Sequence, residues 1–160
     1  MLRLSKLTDY GMVVMTALAR APQGLRNAAD LADETHIGAP TVSKLLKRLG
    51  RAGLVESERG AQGGYRLARA PSKIDVAEVI AAIEGPIGLT ECSVHSGRCG
   101  IQSSCTLRSN WQVINHAVRG ALADISLAQM AGGSITNLQL RPKTGPQASS
   151  KKTINPKAYN

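Results

Sequence analysis

Pro40-Thr41-Val42-Ser43-Lys44-Leu45-Leu46-Lys47-Arg48-Leu49-Gly50-Arg51-Ala52-Gly53 is the stretch that decides the reading of this 160-residue chain. Proline at a first helical position and glycine just past the last one bracket a helix from Pro40 to about Ala52. Val42, Leu45, Leu46 and Leu49 recur at helical spacing and make one apolar face, while Thr41, Lys44, Lys47, Arg48 and Arg51 lie on the other. Such a helix buries its aliphatics and presents a basic face. Its early side chains, Thr41 and Ser43, suit base edges, and Lys44, Lys47 and Arg48 suit phosphates.

The flanks extend this reading. Upstream, Ile37-Gly38 forms a turn, Asn27 caps a short helix through about Thr35, and residues 6–20 make a first helix ended by Pro22 and Gly24. Downstream, Leu54–Glu58 and Tyr65–Ala68 are strand candidates around Arg59-Gly60-Ala61-Gln62-Gly63-Gly64. That loop lacks the Gly-Lys-Ser/Thr ending of a phosphate-binding loop and precedes a strand instead of a helix. A hairpin wing fits it better, with Arg59, Gln62 and Arg66 available to DNA. Residues 40–69 hold seven basic and two acidic side chains, so charge concentrates where DNA would lie. With a helix over Ile74–Ile83, residues 1–84 read as a winged helix-turn-helix: a mainly α fold with a small β-hairpin.

The second half has a different character. Cys92, Cys99 and Cys105 are the chain's full complement of cysteine and sit in one glycine- and serine-rich loop, residues 85–105. A helix over Thr106–Asp124 follows. Along it Leu107, Trp111, Ile114, Val118, Leu122 and Ile125 step by three and four, a near-heptad seam suited to a twin helix. Residues 106–131 therefore read as a dimerisation helix region, and two-fold pairing would match a palindromic operator. Residues 132–160 read as a disordered basic tail.

Composition removes several alternatives. Aromatic residues are 2% of the chain, too few for a platform that stacks single-stranded bases. The formal charge is +9, but residues 137–160 carry five bases and no acid, leaving 15 − 11 = +4 on residues 1–136. Net charge alone is thus a weak argument for DNA. Arg3 and Lys6 before the apolar run Gly11–Ala19 loosely mimic a signal peptide, but the run is short and Asp9 precedes it. No stretch approaches the ~20 apolar residues of a membrane span. A cytoplasmic protein with no membrane partner and no small-molecule substrate is expected. No catalytic Ser/His/Asp or Cys/His set and no dinucleotide fingerprint occurs, so an enzyme is not expected.

The cysteine spacing, C-x6-C-x5-C, leaves several chemistries open. Soft thiolates on a flexible segment can wrap an iron–sulfur cluster. Redox-active thiols, a zinc site without the usual C-x2-4-C pairs, and no function at all remain alternatives.

Leu7-Thr8-Asp9-Tyr10-Gly11, Lys47-Arg48-Leu49, Gly53-Leu54-Val55, the wing Arg59–Tyr65 and the three cysteines together resemble the IscR/NsrR family of winged-helix repressors over about residues 2–131. Within that family the chain looks most like regulators of SUF iron–sulfur assembly operons. The resemblance implies a homodimer that binds a double-stranded DNA operator, with a 2Fe–2S or 4Fe–4S cluster whose state changes operator binding. It implies Cys92, Cys99 and Cys105 as ligands. In IscR-like members a histidine lies three residues after the last cysteine, where this chain has Arg108. NsrR-like members use an aspartate of the first helix, donated by the other subunit, and Asp9 occupies the matching place, with His95 as its rival. The expectation is a cluster-sensing repressor of SUF-type genes. The alternatives are a thiol-responsive repressor without a cluster, or an iron–sulfur carrier that reuses the winged-helix fold.

Overall fold

The computed structural model describes residues 3–94, 99–101, 104–133 and 135. In order these form α1 (Lys6–Arg20), α2 (Ala28–Thr35), α3 (Ala39–Arg51), β1 (Val55–Glu58), β2 (Gly64–Leu67), a 3-10 turn at Pro71–Lys73, α4 (Val76–Glu84), α5 (Glu91–Val94), α6 (Arg108–Ala123) and α7 (Leu127–Ala131). The disordered tail expected over 132–160 lies almost wholly outside the described residues, and so does His95. Among the described residues no helix is long and apolar enough to cross a membrane.

Local chemistry places these boundaries. Ser5 caps α1 by accepting the Thr8 N–H, and Asn27 caps α2 by accepting the Asp30 N–H at 2.8 Å. α2 ends on His36 in the left-handed region at φ 56°, and the chain enters α3 through Gly38 with Pro40 in its first turn. Gly53, at φ 71°, carries it out again toward β1. The strands pair antiparallel from Val55↔Leu67 to Glu58↔Gly64. A third segment joins this small sheet, for Arg26 and Tyr65 exchange both backbone bonds at 2.9 and 2.8 Å. Gly64 permits that approach: a Cβ there would sit 2.9 Å from the Arg26 carbonyl.

Val14, Leu18, Leu31, Leu45, Leu49 and Val79, from α1 to α4, meet in one core. Four aliphatics of α3 (Val42, Leu45, Leu46 and Leu49) are fully buried in it, as their spacing predicts. Gly11 lets α1 press against α4, because a Cβ there would fall 2.1 Å from the Ile83 side chain. The result is a mainly helical winged helix-turn-helix with one hairpin.

Three expectations are corrected. Asp75 and Glu78 form a capping box, so α4 starts at Val76, not Ile74. Ile74 is instead extended, fully buried, and accepts the Leu127 N–H at 2.7 Å. The cysteine segment is not all loop. α5 folds back over Gly88, where a Cβ would lie 1.8 Å from Val94. Finally, the expected seam runs past its helix: α6 ends at Ala123, close to the expected Asp124, and Ser126 and Gln129 make the capping box of a new helix. Ile125 therefore leaves the seam, its carbonyl accepts the Val76 N–H at 3.0 Å, and Leu127 of α7 enters the winged-helix core.

Candidate nucleic-acid interface and cysteine segment

At 100° per residue, Lys44, Lys47 and Arg51 point away from the buried face of α3, and all three are exposed. Thr41 and Ser43, near the start of the helix, are half-buried at its flanks. In the wing, Arg59 and Gln62 are exposed around Gly60, whose φ of 122° only glycine adopts readily. Arg66 is differently placed. The hairpin register sets it opposite Glu56, and its guanidinium reaches Glu56 at 3.3 Å and Glu58 at 2.8 Å. Its charge is answered within the hairpin, a pairing that the register, but not the composition, makes visible.

Arg48 is also engaged. It sits about 110° from the centre of the buried face, at its edge, and is half-buried, with Nη1 donating to the Ile83 carbonyl at 2.7 Å. That carbonyl belongs to the last turn of α4, where helical carbonyls lack intrahelical partners and a cation is favoured. The same end of α4 is gripped from α1. Thr8, 1% exposed, donates its hydroxyl to Glu84, and the Ser5 N–H donates to the same oxygen at 2.8 Å. These bonds hold the Glu84 carboxyl below the ordinary glutamate range. Between the C-terminal ends of α3 and α4 lies an open cleft of about 450 Å³, lined in part by Arg48, Arg51, Ile83, Glu84 and Gly85. Gly85, at φ 94°, turns the chain out of α4 into the cysteine segment.

That segment is anchored by Asn115 of α6. Only 9% exposed, it accepts the Leu89 N–H at 3.1 Å and donates to the Ile87 carbonyl at 3.3 Å. Cys92 lies on α5, within 3.2 Å of the Thr90 hydroxyl, while Cys99 and Cys105 lie off the helices. All three thiols are free and half-buried. In kind they suit a soft, thiolate-preferring group such as an iron–sulfur cluster. Arg108, three residues after Cys105, has its Nε buried with no partner among the described residues. An unsatisfied cationic donor at that place suits a neighbour with net negative charge. Among the described residues, however, no three His, Cys, Asp or Glu side chains are grouped as a metal ion requires. Asp9 is exposed in the first turn of α1, where Ser5, not Asp9, is the cap. His116 is exposed on α6, and His36 serves the turn before α3.

The seam on α6 is split. Leu107, Trp111 and Ile114 are 55%, 38% and 45% exposed, whereas Val118 and Leu122 are half-buried against their own chain. Large apolar side chains in such a row are unusual on a soluble surface and mark a contact site.

A family model for Rrf2, described as an iron-dependent transcriptional regulator, matches residues 4–133. The chain belongs to the Rrf2 family. It is 30% identical to IscR of Photorhabdus laumondii over 151 residues, 92% of this chain and 89% of that protein. It is 34% identical to NsrR of Bacillus licheniformis over 123 residues, 76% and 84% of the two chains. Among solved structures, the global cysteine regulator CymR of B. subtilis superposes with a TM-score of 0.66 at 30% identity, covering 84% of this chain and 99% of that one. T. potens IscR gives 0.61 at 30% identity over 82% and 87%. The resemblance to IscR and NsrR and the winged-helix fold class are thereby upheld. These Rrf2 relatives are transcriptional regulators, not enzymes, and this chain is a DNA-binding transcriptional regulator.

Two contacts escape sequence reasoning. Asn115 lies beside the seam, one position after Ile114, and its bonds to Ile87 and Leu89, residues 28 and 26 earlier, leave no local signal. The bond from Arg48 to Ile83 joins residues 35 apart, and no local pattern reports it.

Proposed function

We propose that this Rrf2 regulator is a dimeric, iron–sulfur-sensing repressor of SUF-type assembly genes, with operator binding set by occupancy of the cysteine segment. The observation that carries the reading is three free, half-buried thiols on one segment hung between the winged-helix core and α6. Cys92, Cys99 and Cys105 would hold the group, with Asp9 as the proposed fourth ligand. When bound, such a group supplies metal–thiolate bonds that form when iron and sulfide suffice and are lost on oxidation. The protein's own residues do the rest. Thr90 offers a hydroxyl to the Cys92 sulfur, Asn115 fixes the base of the segment, and Lys44, Lys47, Arg59 and Gln62 face outward for DNA. A second copy pairs through the exposed end of the α6 stripe, giving two recognition helices for two half-sites. The logic is feedback: adequate clusters fill the regulator, the dimer binds its operator, and synthesis of the assembly machinery stops.

Likeness to the cysteine regulator CymR supports a second reading, a thiol-responsive repressor without a cluster. Anaerobic purification with a visible spectrum and iron and sulfide counts separates the two. Bound iron and sulfide, lost on Cys99→Ser and retained for less time on Asp9→Ala, support the first. Iron-free protein that still binds operator in a thiol-dependent way supports the second.

A further inference from the structure

Arg48 is conspicuous because it does not share the freedom of its neighbours. Lys44, Lys47 and Arg51 are exposed on the far side of α3, while Arg48 is half-buried and bonded to Ile83. Ile83 itself is held: it is 4% exposed and packs its side chain where Gly11 of α1 leaves room. One residue on, Glu84 is tied to Ser5 and Thr8. Gly85 then turns the chain, Ile87 and Leu89 are clamped by Asn115, and Cys92 follows nine residues after Ile83. A short series of directional bonds thus runs from the recognition helix to the first cysteine.

Resting on the proposed cluster-sensing function and deepening it, we infer that Arg48 is a positioning residue that couples the recognition helix to the base of the cysteine segment through the α4 carbonyl end, and is not a phosphate contact. A change of pose in residues 85–92 pulls on the last turn of α4. With the Arg48–Ile83 bond made, α3 follows that turn; with the bond absent, the two helices move independently. The open cleft beside Arg48 gives its side chain room for both arrangements. The coupling is a free energy shared between sites, so deleting one bond lowers it without touching either ligand.

The test uses a duplex selected by the loaded protein from a random-sequence pool, and measures its affinity for loaded and cluster-free protein across a range of salt. Arg48→Met keeps the aliphatic stem and removes the guanidinium. The expected result is an unchanged salt slope with the loaded-to-free affinity ratio falling about fivefold or more, toward one. Lys44→Met should do the reverse, lowering the slope by about 1 and keeping the ratio. A slope reduced by about 1 in Arg48→Met would make Arg48 a phosphate contact and overturn the inference. So would a lower melting temperature with the wild-type ratio intact, the signature of a plain helix cap. If loaded and free wild type bind alike, the proposed function falls and takes the coupling with it; a wild-type ratio that survives in Arg48→Met removes only the coupling. Should Arg48→Met fail to fold, amide exchange in cluster-free wild type decides. Operator binding should slow exchange at Gly85 and Leu89, and unchanged exchange there contradicts the inference.

Discussion

The winged-helix core and the α5–α6 half of this protein obey different rules. In the core, most large apolar side chains are buried, the helices between Ser5 and Glu84 mostly have side-chain caps, and Arg66 of the wing is paired across the hairpin with Glu56 and Glu58. In the other half three thiols are free, an arginine nitrogen is buried without a partner among the described residues, and Leu107, Trp111 and Ile114 face solvent. The contrast bears on the proposed mechanism: the DNA-reading unit carries the buried core, and the features on which the proposed cluster and dimer rest lie in the other half.

The comparison can be broken first at its stable end. Leu45→Ala, in the centre of the core, should cost about 2–5 kcal/mol, and the loss should not depend on protein concentration. Ile114→Glu should leave the core's melting intact in dilute solution while putting a charge into the proposed seam. Its dimer should weaken by a hundredfold or more, about 2.7 kcal/mol, read by mass measurement. A dimer unchanged in that variant would move the interface elsewhere. Ile114 is a cleaner choice than Val118 or Leu122, which are half-buried in their own chain and would perturb folding as well.

Asn115→Leu probes the join between the halves. It strands the Leu89 N–H and Ile87 carbonyl, a local cost of about 1–3 kcal/mol. Faster amide exchange over residues 87–94 with nearly unchanged global melting is expected; a collapse of the whole fold would show that the halves are one cooperative unit.

The smallest effect concerns acid. The Glu84 carboxyl is held below its ordinary range by Thr8 and Ser5, so the folded state binds that proton less readily than the unfolded chain. The resulting stability is present above the ordinary glutamate pKa of about 4.3 and is lost as pH falls through that range. Glu84 is exposed, so the effect is modest. Thr8→Val should flatten this acid limb of the melting curve; an unchanged limb would assign it to other carboxylates. Glu78 adds to the same limb: partial burial opposes its ionisation, but bonds from Arg69 and the Asp75 N–H outweigh burial and hold its carboxyl low.

The two halves were also unequally legible. Helix α1 runs over the residues its spacing predicts, and the recognition helix buries the four aliphatics its pattern singles out. Caps, turns and amphipathic periods are local, and local chemistry is what a sequence displays. The exchange of backbone bonds between residues 74–76 and 125–127 is invisible in that language, and so is the departure of Ile125 from the seam beyond the end of α6. The same holds for Arg48, which reads as one more basic residue on a basic helix until the α4 carbonyl is placed against it. At the cysteines, the residue types point to soft-metal chemistry, while among the described residues no three candidate ligands are grouped.

The central claim is that occupancy of the cysteine segment sets DNA affinity. The direct measurement is an operator titration at one fixed salt concentration, run anaerobically on cluster-loaded protein and on the same preparation stripped of iron. The account predicts that loaded dimer binds at least about tenfold tighter, a difference of about 1.4 kcal/mol. Equal affinities for the two forms would contradict it.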